Sequence, residues 1–191
     1  MAGQTLGGIN VVGILQLAKD RLMQTAKEDG IYVDFTMGRG RDTVFLCSLC
    51  PKGRVYAFDI QQSALDQTAA LLSEKGIANA ELILDSHHNF RNYVKDEIDG
   101  GLFNLGFLPG GDKGLTTQTE TTLIAVKSAM QALKVGGALG VAVYPGHPEG
   151  EHEGNMLQEY FSTVDKKHYD IFIYRLLNVP DSPYMMIVER R

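Results

Sequence analysis

The chain lacks a surplus of positive charge: 18 Lys and Arg against 23 Asp and Glu leave a formal net charge of −5. That excludes a protein held on nucleic acid by overall charge, because neutralising phosphates takes clustered Lys and Arg. Only a local basic patch remains open. It also lacks a long apolar run. No stretch reaches the ~18 apolar residues of a spanning helix, and the opening MAGQTLGGINVVGILQLAKDRL has no basic start followed by an unbroken apolar core. A cytoplasmic protein with no membrane contact is the expectation. Cysteine is scarce. Cys47 and Cys50 form a single C-x-x-C with no second pair to complete a zinc site. Their spacing puts both near one face of a helix, where they read as core residues. No repeat, linker or low-complexity segment divides the 191 residues, so 1–191 is expected to be one domain.

What is present alternates. Residues 9–28 place apolar side chains at helical spacing (Val12, Leu15, Ala18, Leu22), which predicts an amphipathic first helix ending before Gly30. Its apolar face would dock on its own sheet or on a second copy in a homodimer. IYVDFT (31–36) reads as a buried strand, and TVFLCSLC as a helix stopped by Pro51. RVYAFDI (54–60) is a second strand, followed by a helix over 63–76 with Ser63 as N-cap and Gly76 as stop. AELILDS (80–86) is a third strand, 90–98 a weak helix and GGLFNLGF (100–107) a fourth strand. LPGGDKGLTTQT is too rich in turn residues to be regular. A periodic helix over 121–137, closed by Gly136, precedes the strand ALGVAVY (138–144). PGHPEGEHEG (145–154) reads as a second irregular loop, 155–165 as a helix, and 169–177 with 184–190 as two closing strands.

Strands alternating with helices predict an α/β fold in which a mostly parallel sheet carries helices on both faces and ligands collect beyond the carboxyl ends of the strands. The unusual loops fall there: 34–43, 59–61, 85–88, 104–113 and 144–150. In DFTMGRGRDT, Gly38 and Gly40 allow close backbone approach, and a helix starting near Asp42 would aim N–H groups at a ligand. The dinucleotide pattern G-x-G-x-x-G is incomplete, because Thr43 stands where its third glycine belongs. Asp34, at the mouth of the turn, would repel a pyrophosphate yet pair with an ammonium group. Asp59 follows Gly40 by 19 residues, where a carboxylate accepts hydrogen bonds from two ribose hydroxyls. Asp85 and Ser86 occupy the same place after the third strand, within reach of an adenine edge; alone, Asp85 reads equally as a turn or cap residue.

Taken together, DFTMGRGRDT, YAFDIQ, FNLGFLPGGDK and VYPGHPEG resemble the class I S-adenosylmethionine-dependent methyltransferases, and within them a bacterial family described as rRNA methylases and associated with tRNA 5-aminomethyl-2-thiouridine methylation. The resemblance runs over nearly the whole chain. It implies a single Rossmann-like domain with a seven-stranded sheet whose last strand is antiparallel, and S-adenosylmethionine as methyl donor. It further implies the wobble uridine in the anticodon region of tRNA as acceptor. The expected cofactor residues are Asp34, Thr36, Gly38, Gly40, Asp42, Thr43, Asp59, Ile60, Gln61, Asp85, Ser86, His87 and Asn104.

Methyl transfer from a sulfonium is an in-line displacement that mainly requires positioning. Asn104 in Asn104-Leu105-Gly106-Phe107 stands where amino-group methyltransferases carry Asn or Asp, although Leu105 and Gly106 replace the two prolines common there. Its side-chain carbonyl is placed to receive an amine, with Phe107 stacking on the base. Asp112 contacts the amine or base, or is simply a turn residue. His147 accepts the displaced proton or lies on the surface. Lys113, Arg39 and Arg41 are candidate phosphate contacts, and Tyr144 joins the substrate-facing set. The alternatives are an rRNA methyltransferase, a non-catalytic cofactor- or RNA-binding module, and a nucleotide-dependent oxidoreductase. No metal site is expected, since His87 and His88 lack further ligands at suitable spacing.

Overall fold

The computed structural model describes residues 11–106, 117–179 and 181–191. The first half comprises α1 (Val11–Gln24), β1 (Ile31–Asp34), α2 (Arg41–Leu49), β2 (Arg54–Asp59), α3 (Gln62–Glu74) and β3 (Ala80–Leu84). A 3-10 turn (His87–Asn89) runs into the short α4 (Phe90–Tyr93), followed by β4 (Ile98–Asn104), α5 (Thr119–Ala132), β5 (Leu133–Val143), α6 (Pro148–Ser162), β6 (Tyr169–Tyr174) and β7 (Tyr184–Arg190). The seven strands form one sheet in the order β3-β2-β1-β4-β5-β7-β6. The first five are parallel, and β7 is antiparallel to both of its neighbours. The expected α/β sheet with an antiparallel last strand is what the chain builds. Chain order reverses between β1 and β4, the switch point where a parallel sheet opens a crevice.

Alternate residues of β1 feed opposite layers, as strand periodicity requires. Val33 joins Phe35, Phe103, Met130 and Leu157 on one face, while Tyr32 joins Ala18, Leu22 and Leu46 on the other. Phe35 stacks on Phe103 with ring centroids 4.0 Å apart and meets Phe90 edge-on at 5.2 Å, which fixes the backbone just past β1 against that past β3. Cys47 and Cys50 are buried in the second layer as free thiols, pushed up to about 12 and about 11 mainly by burial.

The apolar stripe of α1 is used within the chain. A side chain at Gly140 of β5 would put its Cβ 2.5 Å from the Ala18 Cβ, and one at Gly100 of β4 would lie 2.5 Å from Leu22 Cδ2. These two glycines let the helix lie almost on the backbone of the sheet, and Lys19, beside Ala18, is carried with it.

Several boundaries differ from expectation. The helix after residue 118 stops at Ala132 because Leu133 is drawn into the sheet opposite Ile98, and Arg190 donates to its carbonyl. Gly136, at φ 82, therefore turns the chain inside β5, where pairing shifts between Ile98 and Gly100. The helix after β5 starts at Pro148 rather than 155: His147 is its N-cap, its Nδ1 accepting from the Gly150 N–H at 3.1 Å. Proline at the first helical position and Glu149 and Glu151 in the first turn were the signals for that start. Gln61 rather than Ser63 precedes α3, although Gly76 does end it, at φ 65 with its N–H on Ser73. The segment 90–98 is a single helical turn followed by the start of β4.

Candidate active site

The turn after β1 is tied to β2 by Asp59. Its Oδ2 accepts from the Gly38 N–H at 3.0 Å and its Oδ1 from the Gln61 N–H at 3.0 Å. Gly38 and Gly40 have φ of 51 and 76, the left-handed region that glycine enters without strain. A Cβ at Gly40 would meet Thr68 of α3 at 2.8 Å. No side chain caps α2, whose N-terminus opens onto this turn. Ile60, the residue between Asp59 and Gln61, is 55% exposed and forms the open lip above the carboxylate.

Asp34 lies beneath the turn rather than at its mouth, 1% exposed. Thr43, in the first turn of α2, donates its hydroxyl to Oδ2 at 2.7 Å, and the Thr36 N–H reaches Oδ1 at 3.2 Å. The residue that breaks the dinucleotide pattern is thus the one that holds the carboxylate. Burial and then the neighbouring Asp42 charge push Asp34 up to about 7, against the lowering effect of its two donors. Asp99, at the opposite end of the sheet, is also shielded from solvent though less deeply enclosed, and its carboxyl lies below the usual range. Burial would raise it, but Lys134 at 2.8 Å, the Ile31 N–H at 2.9 Å and Lys27 at 3.3 Å outweigh that cost. Among the described residues no such cation contacts Asp34, and a buried carboxylate without one is poised for a cationic ligand.

Past β3, Asp85 accepts from the Ser86 N–H at 2.7 Å, Asn89 Nδ2 at 3.0 Å and the Tyr93 hydroxyl at 2.9 Å. It organises the 3-10 turn, and these donors lower its pKa. Ser86 Oγ lies 2.8 Å from His88 Nδ1. His87 points inward instead, edge-on to Phe103 at 6.0 Å, and burial lowers its pKa to about 4, leaving a neutral ring.

Past β4 stands Asn104, partly exposed. Its N–H donates to Thr36 Oγ1 at 2.7 Å and its Nδ2 to Asp42 Oδ2 at 2.7 Å, while Oδ1 accepts from the Tyr144 hydroxyl at 2.9 Å. Lys19 pairs with Asp42 Oδ1 at 2.6 Å. Sequence reasoning missed Lys19 and the bonds joining these residues, because no local pattern signals a contact between a helix face and two distant strand ends. Gly106 and Thr117 exchange hydrogen bonds, with Gly106 N–H on Thr117 Oγ1 at 2.9 Å and Thr117 N–H on the Gly106 carbonyl at 3.0 Å. Buried Glu153 of α6 ties this junction to α5, accepting from Thr117 Oγ1 at 3.0 Å and Thr122 Oγ1 at 2.5 Å. Phe107, Asp112 and Lys113 lie outside the described residues. His147 uses Nδ1 as an acceptor in the α6 cap, so its neutral ring carries the proton on Nε2 and has no second nitrogen with which to accept one. Arg39 and Arg41 line a shallow groove of about 640 Å³ against Gln67 and Leu71 of α3 and Lys75 just past it.

A glycine turn, an acid at or just past the end of each of the first three strands and a polar group at the end of the fourth make this a class I methyltransferase fold with a candidate site at that edge of the sheet. The chain belongs to the family described as "putative rRNA methylase", whose model matches residues 55–190. The chloroplastic tRNA (mnm(5)s(2)U34)-methyltransferase of Arabidopsis thaliana is 31% identical over 180 residues, 88% of this chain and 66% of that protein. The chain thus spans just under two thirds of that relative's length. Among solved structures, a "putative rRNA-methylase" from Clostridium thermocellum superposes with a TM-score of 0.90 at 34% identity, over 93% of this chain and 97% of that one. A "putative methyltransferase" from Streptococcus mutans, solved in complex with SAH, gives 0.87 at 36% identity, over 93% and 98%.

Proposed function

We propose that this chain transfers a methyl group from S-adenosylmethionine to RNA, and that the acceptor is the 5-aminomethyl nitrogen of wobble 2-thiouridine in the anticodon region of tRNA. The observation that carries the reading is Asn104, partly exposed past β4, with its amide fixed by Asp42 and Tyr144. A side-chain carbonyl held there accepts an amine N–H and aims the nitrogen lone pair. The Arabidopsis relative, whose name carries that uridine, supports the substrate class.

Bound S-adenosylmethionine supplies an electrophilic methyl group on a sulfonium. The chain's residues fit such a ligand. Asp34, which meets no cation among the described residues, takes the methionyl ammonium; Asp59, with Ile60 and Gln61 beside it, takes the ribose diol; Asp85, Ser86 and His87 border the adenine. Gly38 and Gly40 keep the floor free of side chains, and Thr36, Asp42 and Thr43 hold Asp34 and Asn104 in place. Phe107, Lys113, Arg39 and Arg41 are assigned to the RNA, with His147, the cap of α6, beside them, and Asp112 to the amine.

Mass spectrometry of nucleosides from aminomethylated tRNA incubated with protein and donor is expected to show one added methyl on that uridine. No gain in mass there rejects the substrate. The family description favours a second reading, rRNA as acceptor. Comparing an rRNA transcript with aminomethylated tRNA in a labelled-methyl assay separates the two, and absence of turnover on both points to a binding module.

A further inference from the structure

The side chain of Asn104 is the middle of a chain of four. Lys19 Nζ meets Asp42 Oδ1 at 2.6 Å; Asp42 Oδ2 accepts from Asn104 Nδ2 at 2.7 Å; Asn104 Oδ1 accepts from the Tyr144 hydroxyl at 2.9 Å. The members come from α1, the start of α2, the end of β4 and the end of β5. Lys19 and Asp42 are largely enclosed, with side chains 20% and 13% exposed, and Lys19 also lies over the Phe45 ring at 5.1 Å.

The direction of the bonds matters. An amide can present either end, and an ionised carboxylate is acceptor-only, so Asp42 forces the NH₂ end toward itself and the carbonyl away. Asp42 stands beside buried Asp34, a second acid, and Lys19 supplies the countercharge that lets a carboxylate stay there. Tyr144 gives its one proton to Asn104, which leaves the phenol oxygen an acceptor toward the open side. Two acceptor oxygens then stand 2.9 Å apart, both on partly exposed residues.

We propose that Lys19 of the first helix is a positioning residue that, through Asp42, sets the Asn104 carbonyl, and that this carbonyl and the Tyr144 hydroxyl together bind a primary alkylamine. The inference rests on the reading of the site as an amine methyltransferase. A primary amine has two N–H groups, one for each oxygen, and this fixes its lone pair. Its lone pair forms the N–C bond as the S–C bond of the donor breaks, leaving S-adenosylhomocysteine and a secondary ammonium; loss of one proton to solvent then gives a secondary amine with a single N–H, which lacks the two-point hold, so transfer stops after a single methyl.

Three variants test this, each first checked for SAH binding and thermal unfolding. Lys19→Met is expected to lower kcat about tenfold with KM for the donor unchanged, and Lys19→Arg to restore most of it. Tyr144→Phe is expected to narrow the preference for the aminomethyl over the methylaminomethyl nucleoside and to allow a second methylation. Independently of turnover, the Asn104 side-chain NH₂ protons, seen by ¹⁵N NMR, are expected to be protected from exchange in the wild type and in Lys19→Arg but not in Lys19→Met. Unaltered protection in a folded Lys19→Met overturns the positioning role whatever the substrate. If wild type methylates the tRNA and Tyr144→Phe keeps the same amine preference, the two-acceptor site is wrong while the proposed function stands. If protection behaves as expected but wild type leaves the tRNA unmethylated, the proposed function fails and the positioning role survives.

Discussion

If Asp34 takes the methionyl ammonium as proposed, cofactor binding depends on pH in a calculable way. Its carboxyl, raised to about 7 by burial and by Asp42, is about half protonated at neutral pH in the free protein. A methionyl ammonium binds the ionised form, so the pKa falls on binding and a proton leaves. Between about pH 6 and about pH 8 the ionised fraction rises roughly tenfold, worth ~1.4 kcal/mol in affinity. Affinity for SAH is therefore expected to climb over that interval and flatten above it. Stability of the ligand-free protein runs the other way. The folded pKa lies above the unfolded one, so this group's contribution is fully present below the ordinary carboxylate range and is lost as pH rises to about 7. Calorimetry in two buffers of different ionisation enthalpy should find about half a proton released at pH 7. Asp34→Asn should remove both the release and the slope, and bind SAH about tenfold more weakly at the upper pH. Equal heats in both buffers with a flat affinity profile, or an unchanged slope in the variant, would refute the assignment of Asp34 to the ammonium.

Gly140→Ala places a Cβ 2.5 Å from that of Ala18 and 2.9 Å from Leu102 Cδ2, forcing α1 off the sheet; urea unfolding is expected to show a loss of ~2 kcal/mol, and an unchanged midpoint would mean the helix is not docked there. Glu153→Ala strands the Thr122 hydroxyl, which is fully buried, at a cost of ~1–3 kcal/mol. Burial raises the Glu153 pKa, so wild-type stability from this group declines as pH rises through its folded value, and the alanine variant should lack that slope in pH-dependent urea melts. Cys47 and Cys50, 3% and 0% exposed with thiols raised to about 12 and about 11, should resist alkylation until the protein unfolds; stoichiometric labelling of the native protein would show that the layer they occupy opens.

The sequence by itself determined the alternation of strands and helices, the glycine turn after IYVD, and the gathering of acids and turn residues at one edge, because these depend on patterns within a few residues. It also carried Asp34, Asp59 and Asn104, each at the end of its own strand. The start of α6 was marked locally by Pro148 and its acidic first turn, but the end of α5 fell where long-range contact competes with a local signal. Gly136 looks like a helix stop, but the pairing of Leu133 with Ile98 had already ended the helix. Only the tertiary structure decided what each side chain meets. Asp42 and Asn104 are 62 positions apart and Asn104 and Tyr144 are 40 apart, and the sheet order that puts β1 next to β4 and β4 next to β5 brings them together. Likewise no local pattern says that Thr43 covers Asp34, or that two glycines in neighbouring strands let a helix approach closely enough to deliver Lys19. Burial and charge pairing are properties of the packed chain, and they turn a row of polar residues into a site.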